Sequence, residues 1–123
     1  PEPQPPPVTT IAWRLWHLSS ECLASYASEL TGSWPLDVKD RDWYGQVGQA
    51  LAAADAAWTA FRSGIESLGE DGMWRPLGPK WGPYAEDTWA ALVLHALDEL
   101  AHHGAEIALL RDLHAARRAT TPG

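Results

Sequence analysis

The chain of 123 residues has a single cysteine, Cys22. It can form no internal disulfide and no cysteine-based zinc cluster, and such cysteine usage suits the cytoplasm. Long apolar runs are also missing. None reaches the roughly 18 residues of a membrane span, and no signal peptide opens the chain. Positive charge is scarce: Lys plus Arg number 9 against 16 Asp plus Glu, a net charge of −7. An acidic surface repels phosphate backbones, so nucleic acid is not an expected partner, and neither is a membrane. There is no period-2 run of strand residues and no internal repeat, which leaves an all-α class.

What is present is an ordinary globular balance, 46% hydrophobic and 20% charged residues, and a length that suits one domain. Tryptophan is in excess, with eight residues. Residues 1–7, PEPQPPP, hold five prolines. Proline fixes φ and removes amide donors, so residues 1–9 are expected to be an extended connection.

Three long helices follow from apolar spacing, within a domain expected over residues 10–118. The first runs from about 10 to 30, with Thr9 or Thr10 as cap and Gly32 and Pro35 as stops. Ile11, Leu15, Leu18, Cys22, Tyr26 and Leu30 form its stripe. Trp13, Trp16 and Leu23 widen the apolar surface, so this helix should be covered on more than one side. The second runs from about 41 to 68, capped by Asp40 and stopped by Gly69, with Val47, Leu51, Ala54, Trp58, Phe61 and Ile65 inward. Residues 69–84 carry four glycines and three prolines, and no regular element fits them. With Trp74, Trp81 and Tyr84, this loop reads either as a binding loop or as the closure of a core. The third helix runs from about 85 to 117. Glu86 and Asp87 fall in its first turn and Arg117 and Arg118 near its end, as the helix dipole prefers. Trp89, Leu92, Ala96, Leu100, Ile107 and Leu110 line it, and residues 119–123 should fray. The architecture is an up-down helical bundle.

The chemistry lies in the histidines. Residues four apart share a helix face, so His95, Glu99 and His103 form one polar line beside the apolar stripe. Asp98 and His102 form a competing pair, rotated by one residue. Glu99 and His103 have the spacing of two ligands to one metal, and His17 is the only histidine on the first helix. Two imidazoles and one carboxylate make a three-ligand set with a vacant position, the mark of catalytic rather than structural zinc. Spacing alone also suits a surface ion pair worth ~0.3–0.5 kcal/mol.

The segment HALDELAHHGAEIALLRDL, from His95 to Leu113, resembles the last-helix motif of the DinB/YfiT-like superfamily of metalloenzymes. PPPVTTIAWRLWHLSSE, from Pro5 to Glu21, is similar to that family's metal-histidine helix, in particular to an actinobacterial branch with a TIAWR-x-x-H stretch. The resemblance implies His17, Glu99 and His103 as metal ligands. Glu99, where other branches use histidine, matches the mycothiol-dependent isomerases such as the N-terminal domain of maleylpyruvate isomerase. It further implies a DinB-like four-helix bundle of which three long helices are present, the first helix of the family preceding the Pro-rich connection. The implied activity is that of a divalent-metal-dependent, thiol-using S-transferase or isomerase acting on a small electrophile. Mycothiol is the implied co-substrate. The apolar surface of the first helix and the tryptophan load point to a homodimer. Two nitrogens and an oxygen suit zinc first, then nickel or iron. The alternative is a non-catalytic helical dimerisation or binding module of the same fold, which would be favoured if His17 stood far from Glu99 and His103.

Other residues carry paired readings. His95, one turn before Glu99, could bond to a metal ligand or carry a proton, or be a satisfied groove histidine. Glu21 could orient the His17 ring or be a surface carboxylate. Arg14 could bind a substrate carboxylate or merely lay its stem on apolar surface. Cys22 reads as a small buried apolar residue. His102 should point away, with Asp98 as neighbour. Trp13, Trp74 and Trp81 are expected near a pocket mouth, and His114 in the terminal turns.

Overall fold

The computed structural model describes residues 9–37 and 44–120. The Pro-rich stretch up to residue 8, the Asp40 cap, the helix start at 41–43 and residues 121–123 lie outside the described residues. Among the described residues the structure is all-helical, with one isolated bridge between Pro76 and Thr88. Among the described residues no helix is long and apolar enough to cross a membrane.

The first helix, α1, spans 11–31 and is continuous through three stretches: α-helical Ile11–Trp16, π-helical His17–Ala24 and α-helical Ser25–Thr31. Its ends follow the sequence. Thr10 is extended, and its hydroxyl accepts the Trp13 N–H at 3.1 Å. Gly32 stops the helix at φ 73°, a conformation glycine adopts without a Cβ penalty. The π-helical stretch was not foreshadowed by periodicity. Within it, the buried Ser19 hydroxyl donates to the Leu15 carbonyl at 2.7 Å. This back-bond competes with the regular amide ladder and is a known way of distorting a helix.

The second helix, α2, covers Val47–Met73, so it starts later than expected: residues 44–46 are not helical and Gln46 is extended. Its buried face is Ala53, Ala57, Phe61 and Gly64, while Val47 and Leu51 are exposed. The expected stripe is therefore right from Trp58 onward and wrong at its start. Small residues win there because they let α1 approach closely. A Cβ placed on Gly64 would lie 2.8 Å from the Leu30 Cβ. Gly69 breaks the helix at φ 67°, as its position suggested, but the chain regains a helical turn to Met73.

The expected loop is more regular than its composition implies. Pro79–Tyr84 form a 3-10 turn. The flanks are clipped together by Leu77 N–H to Asp87 O at 2.8 Å, Gly78 N–H to Ala85 O at 2.9 Å and Trp89 N–H to Arg75 O at 3.1 Å. Lys80 ion-pairs with Glu29, tying the turn to α1. The third helix, α3, then runs Trp89–Thr120. Its start is four residues later than expected, so Glu86 and Asp87 precede it. Thr88 caps it instead, its hydroxyl accepting the Ala91 N–H at 3.3 Å.

The core gathers Cys22, Leu23, Ala24 and Ala27 of α1, Ala57 and Phe61 of α2, and Ala96 of α3. α1 packs against both other helices, which touch each other only lightly. This position explains its apolar residues on more than one side.

Candidate metal centre

The seam between α1 and α3 brings His17, Glu99 and His103 together. His17 opens the π-helical stretch, and Glu99 and His103 sit one turn apart on α3. One oxygen, Oε2 of Glu99, lies 3.0 Å from His17 Nε2 and 3.1 Å from His103 Nε2. Each of the three residues offers a ligand atom within 4.8 Å of the others. The imidazole rings meet edge to face, 4.9 Å between centroids at 84°, and Trp13 stacks on His17 at 5.1 Å and 7°. His103 is buried, whereas His17 and Glu99 are half-buried.

The second nitrogen of each imidazole is also engaged. His17 Nδ1 meets Glu21 Oε2 at 2.9 Å, and His103 Nδ1 meets Glu106 Oε2 at 2.5 Å. A carboxylate on Nδ1 fixes ring orientation and directs the Nε2 lone pair to the other side, the arrangement common behind metal-bound histidines. Glu106 is itself held by Arg14, whose Nη2 donates to Oε1 at 2.9 Å and whose Nε lies 2.7 Å from Oε2. The Arg14 guanidinium also covers the Trp13 ring at 4.9 Å, a favourable cation–π placement.

The hydrogen bond from His17 holds the Glu99 carboxyl below its ordinary value, helped by the charges of His103, His17 and His95 and opposed by burial. His103 does the same for Glu106, with Arg14 and His102 assisting. Both carboxylates are therefore kept ionised, the state in which they can act as ligand and acceptor.

The three expected ligands thus converge, and the separated arrangement that would favour a mere binding module is not found. Other expectations change. Glu21 is not an idle surface residue but bonds His17. Arg14 is neither free for a substrate carboxylate nor only laid on apolar surface, since Glu106 occupies it. His102 finds Glu106 rather than Asp98, with Nε2 3.5 Å from Oε1. His95 stands apart from the cluster, exposed, its ring 6.3 Å from that of Tyr26. Trp13 borders the centre, Trp81 lines a separate cleft, and Trp74 and His114 are exposed. Cys22 is buried as expected, and burial, then the charge of Glu99, pushes its thiol up to about 12. Glu106 was missed. Its signal was available, since it lies three residues after His103 and so on the same face.

No curated protein and no solved structure matches the chain significantly. The family model of the DinB superfamily matches residues 2–107. Members of that superfamily often bind metal, and a His/Glu cluster fit for it is present here. With that match spanning most of its length, the chain belongs to the DinB superfamily.

Proposed function

We propose that this chain is a divalent-metal-dependent enzyme that works with a low-molecular-weight thiol, as an S-transferase or an isomerase of a small electrophile. The observation that carries this reading is the convergence of His17 Nε2, His103 Nε2 and a Glu99 oxygen, with a carboxylate behind each imidazole. The donor set fits the group. Two imidazole nitrogens and one carboxylate oxygen suit zinc, with nickel or iron as alternatives.

His17, Glu99 and His103 would hold the ion. Bound there, a divalent cation supplies Lewis acidity, which lowers the pKa of a thiol so that the nucleophilic thiolate is available at neutral pH. Glu21 and Glu106 keep the two rings aimed, and Arg14 keeps Glu106 in place. Trp13 shields one face of His17 from water. His95, exposed one turn before Glu99, would carry a proton to the centre only through bridging water. The chain's own thiol is not the nucleophile, because Cys22 is buried and its thiolate is strongly disfavoured. Mycothiol as the thiol rests on the carboxylate form of the ligand motif. A homodimer is the companion proposal, resting on the exposed leucines of α3, Leu94, Leu97, Leu109 and Leu113.

Elemental analysis of the purified protein tests the centre. The expected result is about one divalent ion per chain, lost in Glu99→Ala and in His103→Ala. Unchanged metal content in both variants overturns it. Thiol-dependent consumption of an electrophile that vanishes with the metal tests the reaction, and metal binding without any such turnover would favour the binding module.

A further inference from the structure

A second concave site lies one turn along α3 from the polar centre, between the 3-10 turn, α1 and the start of α3. It measures about 380 Å³, within the roughly 300–1,000 Å³ of small-molecule sites. Its floor is apolar, from the buried Leu77 and Leu92. Three aromatic side chains wall it: Tyr26 from α1, and Trp81 and Tyr84 from the turn. Tyr26 and Trp81 meet at 6.2 Å between ring centroids, and Trp89 supports Trp81 edge-on from behind at 6.3 Å. The remaining polar residues of the lining are Asp87 and His95.

The charge balance of this lining is one-sided. It contains a carboxylate and no lysine or arginine. The nearest ammonium on the turn, Lys80, is taken by Glu29. Asp87 has no cationic partner among the described residues; the bonds it makes there run through its backbone. The chain as a whole carries −7, so the surrounding field also favours a cation. An anionic ligand would meet a carboxylate and the negative faces of three rings, offset only by the His95 imidazole and the Trp81 indole N–H. A cation meets the opposite: ring faces that attract it and a carboxylate free to pair with it.

We propose that this cleft binds a small organic cation, a substituted ammonium group seated against Tyr26, Trp81 and Tyr84 with Asp87 as its counter-charge. The proposal goes beyond the metal-centre reading and does not rest on it, because none of the three candidate ligands lines the cleft. Tyr26 contributes a neutral ring: burial, then Cys22 and Glu99, pushes its hydroxyl up to about 12.

The test uses choline as probe and 3,3-dimethylbutan-1-ol as its neutral isostere, titrated into the full chain freed of metal with a chelator. Tryptophan emission and calorimetry report binding. Saturable binding of choline is expected, with the isostere at least about fivefold weaker, as cation–π attraction plus a counter-charge implies. Asp87→Asn should weaken choline by about three- to tenfold and leave the isostere unchanged. Trp81→Leu should weaken both. Glu86→Gln, a neighbouring exposed carboxylate outside the lining, should change neither. Equal affinity for choline and the isostere would make the cleft merely apolar and overturn the proposal. So would absence of saturable binding, or choline binding indifferent to both Asp87→Asn and Trp81→Leu. Circular dichroism separates loss of binding from loss of fold in each variant. Since metal is excluded throughout, failure here leaves the metal centre untouched.

Discussion

The seam between α1 and α3 carries two sites of opposite character. At the polar centre, imidazoles and carboxylates satisfy one another. Both nitrogens of His17 and of His103 face carboxylates, and Glu106 joins His103, His102 and Arg14. At the aromatic cleft one turn away, Asp87 has no cationic partner among the described residues and the walls are rings. The scaffolds differ as well. The centre is built only on helices, whose backbone fixes donors to the precision a small ion demands. The cleft takes two walls from a turn that Gly78 precedes at φ 93° and Gly82 interrupts at φ 56°. Convergent donors on stiff elements suit a point charge. Rings on a turn suit a larger, softer group, for which a few tenths of an ångström matter less.

The strongest way to break the comparison is to disturb one site and read both. Glu106→Ala removes the acceptor behind His103 and strands the Arg14 guanidinium. Loss of such an outer carboxylate costs about 10–100-fold in metal affinity, measurable by competition with a chromogenic chelator. The cleft should bind its probe as before. Equal metal affinity in the variant would mean that Glu106 does not orient His103.

Gly78→Ala attacks the other side. At φ 93° and ψ 173° the residue occupies a region that is essentially glycine's alone. Alanine there should cost about 1–2 kcal/mol in urea unfolding. It should also release the turn, shifting Trp81 emission to the red, with metal content unchanged. If metal is lost as well, the two sites form one cooperative unit.

The sequence made these two sites unequally legible. His17, Glu99 and His103 could be read because helical spacing is a local rule and the DinB resemblance supplied the long-range pairing between α1 and α3. Thr10 and Gly32 were readable for the same local reason. Glu106 could have been read from its offset of three from His103. The cleft could not. Its walls come from three segments, and its turn hides its order in glycines and prolines, which signal irregularity in general. What orders it are backbone bonds such as Leu77 to Asp87 and Trp89 to Arg75, to which composition gives no clue. The start of α2 failed for another reason. Apolar periodicity favours large residues such as Val47 and Leu51, whereas close approach of helices favours Ala53, Ala57 and Gly64. The π-helical stretch at His17–Ala24 escaped because an i, i+4 reading assumes the α-helical repeat throughout.

Cys22 links the two sites, coupled electrostatically to Glu99 of the centre and to Tyr26 of the cleft, and alkali should expose that link. Burial raises the Cys22 thiol from 9.0 to about 12, with Glu99 adding to it. The folded state therefore favours the neutral thiol, and the unfolded chain ionises first. The stability this confers is complete below about pH 9 and is lost as pH climbs towards 12, at up to about 1.4 kcal/mol per pH unit. Thermal melts should fall more steeply between pH 9 and 11 in the parent than in Cys22→Ala. At pH 8 the native thiol should resist a disulfide reagent and react once denatured. Ready labelling of the native protein would show that the region between the sites opens freely.

The smallest effect should come from Glu21→Gln, and it sharpens the comparison within the polar centre itself. Glu21 holds His17 Nδ1 at 2.9 Å from an exposed position on the same helix, whereas Glu106 holds His103 Nδ1 at 2.5 Å with Arg14 behind it. A glutamine oxygen still accepts the imidazole N–H, so the ring keeps its tautomer and direction and loses only the negative charge behind it. At an exposed position water screens that charge. Metal affinity should therefore drop by only about threefold, below the usual range for such outer partners. Glu106→Gln should cost more, because the same change also removes the ion pair to Arg14. If Glu21→Gln proved the more damaging of the two, the dominant ligand support would lie on α1, and the buried His103 side would be the passive one.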